Sequence, residues 1–419
     1  MSGQAVLNIS TLITGDPSLG EGMLGAIHDA ALVQAAGRVV WVGPQTSLSE
    51  EHSRFPTLDA RGRAVLPGFV DSHTHLVFAG DRTAEFSMRC GGAGYEEIAR
   101  SGGGIVVTAE AVRSASEEEL ASAARGRLDA MLQEGTTTVE IKSGYGLSVE
   151  AELKMLRVIR SLQGQTPQTL IPTFLGAHVV PPEFKDDRQG YLGLVVEEML
   201  PEIAAAGLAR YCDVFCEASA FSLDESRQVL RKAHDLGLGL RVHAEQLHRT
   251  GGARLGVEMG AASVDHLEFI SEDDVQLLAQ SETVATLLPG ATLFLGMDAW
   301  PPARRLLDAG ARVVLATDCN PGSSMTHNLL LMATLGCVRM GMRAEEALAS
   351  ITREAAQGLG MEGEAGVLTA GSRADWVLAE DRDPLGLVYQ FGSNRVRGVM
   401  CGGEAVRWDG VPCVGGLGS

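Results

Sequence analysis

"VDSHTHLVFAG", residues 70–80, places two histidines one residue apart directly behind a short apolar run. In an extended chain residues i and i+2 share a face, so His73 and His75 can reach one ion together. The same spacing also arises by chance in a histidine-bearing turn. What decides between the two is where the rest of the chain places its ionisable residues.

Seven further apolar, β-branched runs follow "AVLPGFVDS" (64–72): "TTTVEIK" (136–142), "TLIPTFLGA" (169–177), "YCDVFCE" (211–217), "LGLRVH" (238–243), "ASVDH" (262–266), "TVATLLP" (283–289) and "ARVVLATD" (311–318). Helical stretches separate them, among them "SEEELASAARGRLDAMLQEG", with Ser116 as N-cap and Glu119 three residues on, and "DESRQVLRKAHDLG". Continuous rather than alternating hydrophobicity fits a parallel sheet covered on both faces. Eight βα units over about 300 residues have the rhythm of a TIM (β/α)8 barrel. A doubly wound open sheet is the alternative, but no GxGxxG opens a helix after a first strand.

The two ends read differently. "AVLNISTLIT", "AALVQAAG" and "RVVWVG" near the start are short β segments punctuated by glycine, and so are "GVLTAGSRADWVLAE" and "VRGVMCGGEAVRW" near the finish. Neither end has enough strands for a stable sheet. Together they form one small β-sandwich from residues 1–63 and 362–419, flanking a barrel over 64–361; two separate appendages are the alternative.

Bulk composition narrows the function. A net charge of -19 argues against nucleic acid and anionic membranes as partners, while leaving room for an anionic small molecule held by a local arginine. The seven cysteines include no CxxC pair, which disfavours a disulfide framework or a zinc knuckle. With neither a signal-like segment nor a run of 18 apolar residues, a cytoplasmic location is expected.

In such a barrel the chemistry sits at the C-terminal ends of the strands. Here the first strand is followed by His73 and His75, the third by His178, the fifth ends at His243, the sixth at His266 and the eighth at Asp318. Any one of these histidines could be a satisfied structural residue; the set at these positions points to a site. Three histidines and a carboxylate suit a borderline ion with a position left for water. We assign His73, His75, His243 and Asp318 as ligands of one ion per chain, Zn²⁺ or Fe³⁺, since histidine and carboxylate suit both. Such an ion can supply hydroxide near neutral pH. Asp318 is also the expected proton acceptor, and His266 the partner of the water or the developing oxyanion. Lys142 ends the second strand, whereas metal-bridging carbamylated lysines of barrel enzymes follow the fourth, where this chain has Glu217. Lys142 therefore reads as a structural or substrate-loop residue.

"PGFVDSHTHLVFAGDR", followed by later strand-end histidine, histidine and aspartate, resembles the amidohydrolase superfamily, and "GVLTAGSRADWVL" resembles its return into the β-sandwich. More narrowly, "HTHLVFAGDRTAEFSMRCGGAGYEEIARSGGGI", "EIKSGYGL", "FLGAHVVPPE", "RVHAEQ" and "ATDCNPGSS" are similar in order and spacing to the imidazolonepropionase family. That resemblance implies hydrolysis of the cyclic amide of 4-imidazolone-5-propanoate to N-formimidoyl-L-glutamate in histidine degradation, commonly by a homodimer. Carried over by position, it implies substrate contacts at Arg82, Tyr95, Tyr145, His178, Gln246, Asn320, Gly322 and Ser323. Arg82 offers a planar fork for the propanoate, with Tyr145 and His178 completing the anchor. Some members carry glutamate where this chain has Gln246, and glutamine cannot shuttle a proton. Gln246 is then expected to contact the ring, with Asp318 and His266 moving protons; neighbouring Glu245 is the alternative. The competing functions are another cyclic amidohydrolase, a nucleobase aminohydrolase, and a metal-free scaffold.

Overall fold

The structure, a computed structural model, describes residues 3–92, 103–409 and the backbone of 411–412. Its centre is an eight-stranded parallel sheet: β6 (Phe69–Asp71), β7 (Thr136–Lys142), β8 (Thr169–Ala177), β9 (Tyr211–Cys216), β10 (Gly239–Ala244), β11 (Ser263–His266), β12 (Val284–Leu287) and β13 (Val313–Leu315), in chain order across the sheet. All eight expected strands are present. Side chains on both faces are buried, β7 throughout its length, which accounts for the unbroken apolar runs.

The helices between strands begin where the sequence signals them. Ser116 accepts from the Glu119 N–H while Glu119 reaches back to Ser116, opening the helix Glu117–Gln133. Leu120, Ala124, Leu128 and Met131 then recur at helical spacing and pack onto the barrel. Ser222 and Glu225 open Leu223–Asp235 in the same way.

The ring of strands closes through bonds between β6 and β13 rather than a full ladder. Asp71 accepts from the Thr317 N–H at 3.1 Å and its hydroxyl at 2.6 Å. Just beyond the strand ends, the Asp318 N–H donates to the His73 carbonyl and the His75 N–H to the Cys319 carbonyl, both at 3.0 Å.

The run 64–72, read from sequence as one barrel strand, is two strands. β5 (Val65–Pro67) lies in the terminal sheet and β6 in the barrel, with Gly68 between them. A Cβ on Gly68 would meet the Thr137 hydroxyl at 2.3 Å, so only glycine lets the chain pass this close to β7.

The chain ends share one mixed nine-stranded sheet. β1 (Gly3–Ile13), β2 (Ala26–Ala35), β3 (Arg38–Pro44) and β4 (Thr57–Asp59) come from the start, and β14 (Trp376–Ala379), β15 (Val396–Cys401), β16 (Glu404–Trp408) and β17 (Val411–Pro412) from the finish. The two halves meet where β5 pairs with β14 on one side and β1 on the other. One apolar cluster draws on β1–β5 and β14–β16, so both chain ends share a single core, as expected for a small β domain built from the two termini. Among the described residues, no helix is long and apolar enough to cross a membrane.

Trp376 joins the two chain ends: fully buried, it donates to Gln34 Oε1 at 2.9 Å and packs edge-on against Trp408. Trp376→Ala is expected to lower unfolding free energy by about 3–5 kcal/mol in a urea titration. A loss below about 1 kcal/mol would mean the terminal segments do not depend on this shared core.

Candidate metal centre and active site

Four of the sequence-assigned side chains converge at the C-terminal mouth of the barrel. His243 Nε2 lies 3.3 Å from His75 Nε2, and Asp318 Oδ1 lies 3.4 Å from His75 Nε2 and 3.6 Å from His73 Nε2. All four residues are buried. His73 Nδ1 is 2.6 Å from Asp265 Oδ2, and His243 Nδ1 is 3.0 Å from Asp213 Oδ2, so carboxylates take the Nδ1 protons and leave both Nε2 atoms as lone pairs. Burial drives His73 and His75 far below the ordinary histidine pKa, with neighbouring cationic or imidazole groups adding to the shift. Neutral imidazoles with lone pairs facing one another and a carboxylate are mutually repulsive unless a cation sits between them. A tetrahedral ion with bonds of about 2.0–2.1 Å has ligand edges of about 3.3–3.4 Å, close to the spacings seen. The donor set therefore fits a metal.

Behind these ligands lies a group of buried charges that the strand-end reading did not find. Lys142 Nζ is 2.8 Å from Glu140 Oε1 and 2.9 Å from Asp213 Oδ2, and Arg241 Nη2 is 3.5 Å from Asp265 Oδ2. Lys142 is thus inside the barrel wall, not in a substrate loop. The available signal was a charge in the middle of each apolar strand: "TVEIK", "YCDVF", "LRVH", "SVDH".

His266 sits beside His73 and His243, with ring centres 5.7 and 5.3 Å away, and its buried Nδ1 has no hydrogen-bond partner. Its backbone is left-handed (φ 84°), an unfavourable state for histidine that the surrounding structure must support. His178 stacks on His75 at 5.2 Å and its Nδ1 lies 3.0 Å from the Gly144 carbonyl. A carbonyl only accepts, so the His178 proton is on Nδ1 and Nε2 is an acceptor. Burial lowers the His178 pKa to about 3. Tyr145 is buried against both His75 and His178, and burial holds its phenol protonated.

At the rim, Arg82 reaches the loop that follows β13: a Cβ on Gly322 would lie 2.2 Å from Arg82 Nη1. Its fork is partly engaged already. Arg82 Nε and Nη2 donate to the two oxygens of Glu85 at 2.9 and 2.5 Å, which leaves the Nη1 edge for a ligand. Arg89, which the sequence reading did not single out, donates to the Gly322 carbonyl at 3.2 Å from about two turns further along the same helix. Asn320 accepts from the Gly322 and Ser323 N–H groups and donates to the Asp318 carbonyl, so its side chain shapes the loop. Ser323 Oγ reaches Asp318 Oδ2 at 3.5 Å. Tyr95 lies outside the described residues.

Gln246 is half-buried in the turn leaving β10. The alternative base, Glu245, is committed elsewhere: its oxygens accept from the Thr250, Gly251, Gly252 and Ala253 N–H groups. Glu217, at the position where a bridging lysine would stand, binds the Ala218, Leu247 and His248 N–H groups. Both carboxylates brace the loop that carries Gln246.

Residues 64–406 match the amidohydrolase family. The imidazolonepropionase of Shewanella woodyi is 49% identical over 378 residues, covering 90% of this chain and 92% of the relative. That of Shewanella amazonensis is 47% identical, covering 96% of this chain and 97% of the relative. The chain belongs to the amidohydrolase family, among its imidazolonepropionases. The amidohydrolase is accordingly a metal-dependent hydrolase. Among solved structures it resembles an atrazine chlorohydrolase mutant from Arthrobacter aurescens complexed with zinc and atraton (TM-score 0.72, 20% identity, 99% of this chain and 97% of that one). It also resembles a zinc-bound adenosine deaminase from Xanthomonas campestris (TM-score 0.73, 17% identity, 98% and 94%). These two share its fold.

One carboxyl near the site went unnoticed in the sequence. Glu268 is buried, accepts from the Thr292 hydroxyl at 3.0 Å, and leaves Oε2 unpaired. Burial, with a smaller contribution from Asp318, raises its pKa from 4.5 to about 8. Between those values the unfolded chain gives up this proton and the folded amidohydrolase keeps it, so stability falls as pH rises through the window. Thermal unfolding of the chelator-treated amidohydrolase should show Glu268→Gln losing less Tm than the parent across this range. Parallel curves would place the Glu268 pKa near its ordinary value.

Proposed function

We propose that this amidohydrolase opens the ring of 4-imidazolone-5-propanoate with water, giving N-formimidoyl-L-glutamate in histidine degradation. The near full-length match to imidazolonepropionases carries this reading, together with an arginine beside the loop that holds Asp318. We assign His73, His75, His243 and Asp318 one Zn²⁺ or Fe³⁺ per chain. The ion supplies Lewis acidity, which acidifies water and polarises a carbonyl.

The chain's own residues do the rest. Asp318 turns Oδ1 toward the histidines, and its second oxygen, Oδ2, accepts the proton from water. The water oxygen adds to the ring carbonyl carbon, the C–N bond of the cyclic amide breaks, and the proton held by Asp318 passes to the departing nitrogen. His266 faces the ligand cluster and donates to the developing oxyanion. His178, an acceptor at Nε2, takes a ring N–H, which makes it a partner of the ring rather than of the propanoate. Gln246 contacts the ring, while Tyr95, Tyr145, Asn320, Gly322 and Ser323 line the remaining contacts. The propanoate pairs with the Arg82 guanidinium at Nη1, which the absent Cβ at Gly322 lets approach the 318–324 turn.

We further infer a homodimer. Val338, Tyr389 and Phe391 are exposed on or beside two helices that pack together, an apolar face suited to a second copy.

The carboxylate assignment is tested with two enzymes and two substrates. Removing a desolvated charge pair costs about 2–5 kcal/mol. Arg82→Ala should therefore lower kcat/KM for imidazolone propanoate roughly 30-fold or more. The methyl ester of the same tail should be poor for the parent and lose little further in the variant. Equal losses on both substrates would show that Arg82 does not read the carboxylate. Turnover of a neutral nucleobase with no turnover of imidazolone propanoate would favour an aminohydrolase.

A further inference from the structure

Each of two ligand histidines is backed by an aspartate, and one ammonium stands between the aspartates. Asp265 Oδ2 is 2.6 Å from His73 Nδ1, and Asp213 Oδ2 is 3.0 Å from His243 Nδ1. Lys142 Nζ is 2.9 Å from that same Asp213 oxygen and 3.9 Å from that same Asp265 oxygen. Every one of these side chains is inaccessible to solvent or nearly so.

Isolated carboxylates this deep are expensive, and two of them beside a third, Glu140, still more so. Lys142 and Arg241 are the two cationic side chains set among these three carboxylates. Without the ammonium the two aspartate oxygens lose the group that stands between them, and a carboxylate free to turn away deprives its histidine of the acceptor that fixes the Nδ1–H tautomer. That tautomer is what presents Nε2 as a lone pair.

We propose that Lys142 is a positioning residue for the metal centre: it holds the Asp213 and Asp265 carboxylates in place, so that His73 and His243 both present Nε2 to the ion. The lysine acts from the barrel wall through the aspartates and touches neither metal nor substrate. This rests on the ligand assignment made above and goes beyond it.

The test measures zinc affinity of the metal-free protein by competition with a chromophoric chelator, for the parent, Lys142→Met, Asp213→Asn and the double variant, with circular dichroism to confirm folding. The parent is measured first, because failure there to bind zinc would overturn the ligand assignment itself. With the parent binding, Lys142→Met should weaken zinc about 10–100-fold. The loss in the double variant should fall well short of the product of the single losses, since both changes act through one carboxylate. A folded Lys142→Met with parental affinity, or losses that multiply, would overturn the proposal; a purely structural lysine would lower Tm and leave zinc affinity alone.

Should Lys142→Met fail to fold, the parent protein still decides. The chain has four lysines, so ¹⁵N-lysine labelling gives a spectrum simple enough to follow each side chain. One solvent-protected Nζ signal is expected to move when zinc is added. A spectrum in which no lysine signal responds to zinc would overturn the proposal.

Discussion

Three imidazole nitrogens and a carboxylate oxygen facing one another at 3.3–3.6 Å are the constraint around which the barrel is organised. These atoms repel without a cation, so the ligands must be held in place by the fold. Part of the holding is done at the barrel seam. Residues of this same cluster also tie the end of β6 to the end of β13, through the Asp318 N–H to the His73 carbonyl and the His75 N–H to the Cys319 carbonyl. Closing the barrel and assembling the ligands are one event. Left-handed backbone at Asp318, His266 and Glu245 clusters at this mouth, where the surrounding contacts can sustain it.

Much of this was legible in the sequence because the physics behind it is local. Strands buried on both faces leave continuous apolar runs, and the eight runs became eight strands. The clustering of His73, His75, His243 and Asp318 was legible because a parallel barrel delivers its strand ends to one place. What escaped depends on pairing at a distance. The division of 64–72 at Gly68 is set by contact with Thr137 on the next strand, and periodicity carries no trace of that contact. Asp213, Asp265 and Lys142 come from three different strands, and only the closed barrel brings them together. Arg82 was read as a planar fork for the propanoate, and the Glu85 side chain that occupies two of its donors is visible only once the helix at 83–90 is in place.

The fold and the rim carry different information. Solved structures at 17–20% identity share the architecture, and their names include a chlorohydrolase and a deaminase, so the barrel alone does not choose a substrate. The choice falls to loops beyond the strands: the helix bearing Arg82, Glu85 and Arg89, and the 318–324 turn that Asn320 folds back on itself. That turn brings Gly322 against Arg82 and Ser323 against Asp318, so it links the rim arginine to the histidine–aspartate cluster. Glu245 and Glu217 spend their carboxylates on backbone amides so that the neighbouring Gln246 loop stays fixed.

The most direct test of the centre is X-ray absorption at the zinc edge of metal-reconstituted protein. A shell of nitrogen and oxygen at about 2.0–2.1 Å, with outer-shell scattering from three imidazoles and no metal–metal vector, is the result expected from His73, His75, His243 and Asp318. Sulfur in the shell, or a second metal at about 3.5–4 Å, would contradict a single ion held by these four residues.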